Sequence, residues 1–251
     1  MQGPGKKIGA TGGQAGVSRQ LPLAVALPLR ITLDDFIPGE NRQLLALLKQ
    51  IAAGKSGETL FISGASGSGK SHLLMGLCSQ AEQQGRSCAY LPLEQLRSLS
   101  PELLTGMEEM DIIAVDDVQH IATDPGWEEA LFVLFNLAHE QCKNLIFSAD
   151  QGPAQLPLAL PDLRSRLSWG SAYQLQALDQ DGLVELLQTQ AQNRGLLLKP
   201  KVAQWLLTHC NRSPRNLLNL LERLDQAALA QKRHQLTLPF VQSCLQHPPC
   251  G

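Results

Sequence analysis

Leu60-Phe61-Ile62-Ser63-Gly64-Ala65-Ser66-Gly67-Ser68-Gly69-Lys70-Ser71 reads as an apolar strand running into a glycine-rich loop, with a helix through Leu73, Leu74 and Leu77 behind it. Gly64, Gly69, Lys70 and Ser71 fit the phosphate-loop pattern G-x-x-x-x-G-K-[ST] in the strand–loop–helix setting that pattern requires. Glycines let successive backbone N–H groups turn inward around phosphate oxygens, because no Cβ blocks the approach. A helix starting at Lys70 points the positive end of its dipole at the same anion. Lys70 adds a mobile charge for the outer phosphates, and the Ser71 hydroxyl is expected to ligate Mg²⁺. Gly67, Ser68 and His72 complete the expected cradle.

The rest of the chain bounds what that loop serves. At 251 residues there is room for one large domain, or a domain with a small satellite. With 21 Lys and Arg against 23 Asp and Glu, no basic footprint of a dedicated DNA-binding module is present, so direct sequence-specific DNA binding is not expected. No apolar run is long enough to span a membrane. Lys6 and Lys7 are followed by no apolar core, so no secretory signal is read. The six cysteines, Cys78, Cys88, Cys142, Cys210, Cys244 and Cys250, form no C-x-x-C pair and mostly sit in apolar patterns. They are expected to be free and packed as small hydrophobes, without disulfide or metal, which places the protein in a reducing cytoplasm.

Residues 1 to about 19 are rich in Gly and poor in large apolar side chains, and read as a flexible tail. Arg19 to Leu29 is apolar but broken by Pro22 and Pro28, which forbids a helix. Such an extended peptide either covers its own domain or docks in a groove on another protein. The tail is therefore taken as 1–29. Asp34 to Asn41 reads as a turn, and Asn41 or its predecessor is expected to cap a helix carrying Leu44, Leu45, Leu47 and Leu48. A strand follows at Cys88–Leu91, then a helix through Leu96, Leu99, Leu103 and Leu104, interrupted near Pro101.

Asp111-Ile112-Ile113-Ala114-Val115-Asp116-Asp117 is an apolar run without alternation, the pattern of a parallel strand buried on both faces. Acids at its C-terminal end stand where open α/β sheets bind ligands. Asp116 is expected to hold Mg²⁺ through water, and Asp117 to orient the attacking water. Beyond them come a helix over Trp127–Glu140, a strand over Asn144–Asp150, a short helix over Asp162–Leu167 and a strand at Tyr173–Leu175. This β–α alternation predicts an α/β domain over 30–178, a doubly wound, five-stranded parallel sheet flanked by helices with right-handed crossovers. From about Asp179 the strands stop. Helical patterns over Leu183–Gln192, Lys201–His209, Pro214–Ala230 and after Pro239 predict a small, all-helical lid domain over 179–251.

In this order the motifs resemble the AAA+ ATPases, and within them the DnaA family of replication initiators. The resemblance spans about residues 30–245. It rests on Phe36-Ile37-Pro38-Gly39-Glu40-Asn41, the phosphate loop, Asp116-Asp117-Val118-Gln119, Ser148-Ala149-Asp150, Ser165-Arg166-Leu167-Ser168-Trp169-Gly170 and Arg215. It implies an AAA+ P-loop NTPase that binds ADP or ATP with Mg²⁺ on the side of Ser71 and Asp116. Phe36, Ile37 and Asn41 would border the base and ribose. Asp150 would belong to the sensor-1 segment that watches the γ-phosphate. Arg166 would be an arginine finger acting in trans, and Arg215 the sensor 2 of the lid. A planar, always-charged donor suits charge developing on a phosphoryl group.

No counterpart is read here of the helix-turn-helix domain that follows the lid in DnaA, nor of DnaA's N-terminal oligomerisation domain. A shortened chain with an N-terminal Gln-Leu-x-Leu peptide resembles the Hda family, the regulatory inactivators of DnaA. That resemblance implies two partners: the DNA polymerase III sliding clamp, reached through Gln20, Leu21 and Leu23, and DnaA. Presenting Arg166 to DnaA would trigger hydrolysis of its ATP and prevent re-initiation. The peptide Gln20-Leu21-Pro22-Leu23-Ala24-Val25 keeps the clamp-motif core and departs from it at the fifth position. The string recurs at Gln155-Leu156-Pro157-Leu158 and Gln235-Leu236-Thr237-Leu238, but only the first lies on a tail. Asp117, where many fast AAA+ motors have Glu, suits a weak ATPase. The alternatives are a stand-alone ATPase acting as a DnaC-like helicase loader, and a nucleotide-stabilised scaffold that only dimerises. AAA+ subunits associate head to tail, so the resemblance admits a homodimer or head-to-tail oligomer, while a lone adaptor would be a monomer or dimer.

Overall fold

The computed structural model describes residues 31–246. The tail peptide with Gln20, Leu21 and Leu23 lies outside them, as does Cys250. Five strands, β1 (Thr59–Ser63), β2 (Cys88–Pro92), β3 (Ile112–Asp116), β4 (Asn144–Ala149) and β5 (Ser171–Gln174), form a parallel sheet in the order β2-β3-β4-β1-β5. Every residue of β3 and β4 is buried. Alternate side chains go to opposite faces. Phe61, Ile113, Val115, Leu145 and Phe147 pack into one core, and Leu60, Ile62, Ile112, Ala114 and Ile146 into another. The second core is covered by α1 (Arg42–Ala52) and α2 (Lys70–Gln83). The first is covered by the one-turn α3 (Leu93–Leu96), α4 (Pro125–Glu140) and α5 (Pro161–Leu167).

Several local expectations are corrected. The helix expected through Leu96, Leu99, Leu103 and Leu104 is interrupted before Pro101 as its proline implied, but only its first turn is α-helical. After α3 the chain makes 3₁₀ turns at Pro101–Leu104 and Met107–Glu109, separated by Gly106 at φ 90°. Proline admits only a fresh start there, with the Ser100 side chain accepting from the Glu102 amide. Asn41 precedes α1 but does not cap it with its side chain. Its amide instead grips the main chain of Gln176 twice, donating to the carbonyl at 3.0 Å and accepting from the N–H at 2.8 Å. Cys78 on α2 and Cys88 on β2 are joined as a disulfide, with Cα atoms 5.4 Å apart. The packing of α2 on β2 brings together two cysteines that linear spacing kept apart. Cysteine usage therefore assigns no reducing compartment. Cys142, Cys210 and Cys244 are free.

The C-terminal segment has its own core, built by α6 (Gln180–Asn193), α7 (Pro200–His209), α8 (Pro214–Ala230) and α9 (Leu238–Gln246). It is not all-helical: β6 (Leu197–Leu198) and β7 (Gln235–Leu236) pair in parallel. Strands of two residues are too short to show alternation in a sequence. The later Gln-Leu-x-Leu strings belong to the fold, with Leu156, Leu158 and Leu236 buried.

Two polar clasps hold loops on the sheet. Asn144 is buried, accepts from the Glu58 amide at 3.1 Å and donates to the carbonyls of Lys55 and Asp111. Glu128 accepts from the amides of Thr123 (2.8 Å), Ala159 (3.0 Å) and Leu160 (2.6 Å), and so fixes the turn that starts α5. At the entry to β5, a Cβ on Gly170 would collide with the Thr59 carbonyl, so only glycine lets the edge strand close on β1.

Candidate nucleotide-binding site

Between β1 and α2 the loop takes backbone conformations that favour glycine, φ 76° at Gly67 and 107° at Gly69. It is pressed from two sides. A Cβ on Gly67 would lie 3.0 Å from Ser213 Oγ and 3.4 Å from Arg215 Cβ. One on Gly69 would lie 3.0 Å from the Phe36 ring. The start of α8 thus sits against the loop, with Arg215 exposed in its first turn. Lys70 is 5% exposed, and its ammonium donates to the carbonyls of Gly64 (2.7 Å) and Ala65 (3.2 Å). The amine is thereby folded over the loop whose amides, with the α2 N-terminus, form an anion cradle.

Phe36 and Ile37 part company at this point. Phe36 packs against the sheet-side core and lies 6.0 Å, centroid to centroid, from the His72 ring, while Ile37 is buried in the core of α6–α9. Asn41 is committed to Gln176. Of these three, Phe36 is the one that touches the phosphate loop. Burial lowers the pKa of His72 below 6.5, partly offset by the Asp35 charge and a hydrogen bond to the Thr32 backbone, and its Nε2 has no hydrogen-bond partner.

The acids behave differently from each other. Asp116 is 2% exposed. Its Oδ2 accepts from the Tyr90 phenol at 2.7 Å, and its Oδ1 accepts from the Ser148 hydroxyl. Burial raises the Tyr90 pKa, and the charges of Asp116 and Asp117 add to the rise. Asp117 stands at φ 59°, donates its N–H to Ser148 Oγ (3.0 Å) and accepts from the Gln119 amide (3.0 Å). The Gln119 oxygen takes the Asp150 N–H at 3.3 Å. Asp150 is exposed, so Ser148 is the residue of that segment that reaches the buried acid.

The donor set of Ser71 and Asp116, one hydroxyl and one carboxylate, suits Mg²⁺, which binds few protein oxygens and keeps the rest for water and phosphate. Glu94, Asp117 and His120 also bring one ligand atom each within 4.8 Å of the others.

Arg166 belongs to a different surface. Its guanidinium lies 4.1 Å from the Trp169 ring centroid, and that ring is 58% exposed. Trp169 in turn meets His139 edge-on at 5.5 Å. The neighbouring Arg164 instead donates to the Leu158 carbonyl. Sequence reading did not single out Tyr90, Gln119, Ser213 or Glu128 for a role. Tyr90 carried the one available signal, a phenol inside an apolar strand, whose O–H must find a partner when buried.

The strand order, with the phosphate loop after β1, the acids after β3 and a helical segment resting on the loop, is the AAA+ arrangement of P-loop NTPases. Residues 27–174 match the bacterial DnaA ATPase domain, and residues 179–245 match the Hda lid domain. The chain belongs to the DnaA/Hda family of AAA+ proteins. Among solved structures it is similar to domain III of the Thermotoga maritima replication initiator DnaA, at a TM-score of 0.76 and 22% identity, covering 86% of this chain and 95% of that one. AMPPCP-bound DnaA from Aquifex aeolicus matches at 0.67 and 22%, covering 82% and 70%. The Thermotoga maritima RuvB Holliday junction branch migration motor matches at 0.67 and 17%, covering 86% and 72%. At these identities the likeness is one of fold. Among the described residues no helix is long and apolar enough to cross a membrane.

Proposed function

We propose that this chain is a nucleotide-binding regulator of DNA replication initiation, an Hda-like adaptor rather than a motor. In this reading it binds ADP or ATP with Mg²⁺ in the cradle of Gly64, Gly67, Ser68, Gly69, Lys70, Ser71 and His72. Phe36 borders the base, Asp116 serves the metal side, Asp117 and Asp150 face the outer phosphate and Arg215 reaches in from α8. The peptide Gln20-Leu21-x-Leu23 docks on the sliding clamp, and Arg166 is presented to ATP held by DnaA. Head-to-tail contact of the AAA+ type would carry that last step.

The observation that supports this reading best is the pairing of an Hda-type lid with a DnaA-type ATPase domain in one chain. The setting of Arg166 agrees with it. Arg164 is tied down inside the fold, whereas Arg166 lies on an exposed indole, available to a second protein.

The test is calorimetric titration against purified sliding clamp, comparing wild type with Gln20→Ala/Leu21→Ala, followed by an assay of DnaA-ATP hydrolysis. The adaptor reading expects clamp binding that the double variant loses, and DnaA-ATP hydrolysis that Arg166→Ala loses while still binding clamp and ADP. Absence of clamp binding together with tight binding to a replicative helicase would replace it with the loader reading.

A further inference from the structure

We infer that Tyr90 is a positioning residue for magnesium: its phenol aligns the Asp116 carboxylate, and it does so through a contact that the phosphate-loop and acid motifs do not contain. This rests on the nucleotide reading above and extends it to a residue outside those motifs.

The argument is geometric. Asp116 is almost wholly buried, so hydrogen-bond donors rather than bulk water must fix its orientation. It has two of them, one on each oxygen: Tyr90 on Oδ2 and Ser148 on Oδ1. Each carboxylate oxygen retains a second lone pair, so both contacts can persist while the acid accepts from a further donor. Ser148 is itself held, because its oxygen accepts the Asp117 N–H. Tyr90 is held by its strand, where it stands in register with Ala114, two residues before Asp116 on β3. Tyr90 therefore reaches the metal-side acid of β3 from the neighbouring strand β2. Outer-shell partners of this kind orient ligands, and losing one typically weakens metal binding while leaving the remaining ligand contacts in place.

The experiment is ADP titration of wild type and Tyr90→Phe, each in EDTA and across a Mg²⁺ series, with circular dichroism melts of both proteins. Phenylalanine keeps the ring and removes only the hydroxyl. The inference expects the ADP affinity in EDTA to be unchanged and the Mg²⁺ concentration for half-maximal tightening to rise about tenfold. It also expects non-additivity: in an Asp116→Asn background, adding Tyr90→Phe leaves the Mg²⁺ response where Asp116→Asn put it.

Equal weakening with and without Mg²⁺ would make Tyr90 a scaffold residue and overturn the inference. So would an unchanged or improved Mg²⁺ response, or an additive double variant. If wild type binds no ADP in either condition, the nucleotide reading falls and takes the inference with it; ADP binding with an unaltered Mg²⁺ series overturns the inference alone.

Discussion

Asp116 and Glu128 are both buried carboxylates, 2% and 1% exposed, yet the regions around them are built on opposite plans. Glu128 is held by three main-chain amides, from Thr123, Ala159 and Leu160. Those donors are fixed by the backbone and cannot swing away, so the acid acts as a rivet between α4 and the turn leading to α5. Asp116 is held by two side-chain hydroxyls, from Tyr90 and Ser148. Hydroxyls rotate about a single bond and can donate or accept, so they can follow a change at the acid. Burial of a charge alone therefore does not mark the chemical site. The kind of donor separates the structural carboxylate from the one expected to work.

The comparison breaks most visibly through Glu128. Replacing it with Ala leaves three partly buried main-chain amides without their acceptor and should cost about 3 kcal/mol, at the lower end of ~1–3 kcal/mol for each. Urea unfolding measures this, and an effect under about 1 kcal/mol would remove the distinction between the two acids. Next in size is Lys70→Ala. Saturating ADP, at about a hundred times Kd, should stabilise wild type by roughly 2.7 kcal/mol and the variant by far less, read as the shift in melting temperature.

Asp116→Asn sharpens the contrast from the other side. The amide keeps the shape and one acceptor, so stability should change by no more than about 1 kcal/mol. The Mg²⁺-dependent part of nucleotide binding should be lost in the same variant. The smallest effect is one of pH. The pKa of His72 is lowered in the folded state, so the stability linked to its neutral form is complete above its unfolded value of 6.5 and is lost as pH falls through the folded value. His72→Leu should flatten stability between pH 7 and pH 5; an unchanged slope would place the titrating group elsewhere.

The sheet was legible because β3 and β4 are continuous apolar runs and the loop after β1 has a fixed spacing of residue types. Most helices of α6–α9 were legible from their leucine period and from Pro214 at the start of α8. What escaped was set by tertiary contact. The Cys78–Cys88 disulfide exists because α2 folds back on β2. The β6–β7 pair joins two-residue segments that show no period. Asn41 looks like a cap in one dimension and proves to be a clamp on Gln176, a residue far along the chain. At the site, the motifs pointed to Lys70, Ser71 and Asp116, but not to the phenol on β2 that arrives beside Asp116 through strand order alone.

Phe36 and Ile37 are consecutive residues on two different anchors. One ring lies against Gly69 of the phosphate loop, and the other side chain is sealed among the leucines of α6–α8. Consecutive Cα atoms cannot separate beyond 3.8 Å across a trans peptide bond. The core of the C-terminal segment and the phosphate loop are thus joined by a single peptide link, the shortest covalent connection two separate packing environments can share.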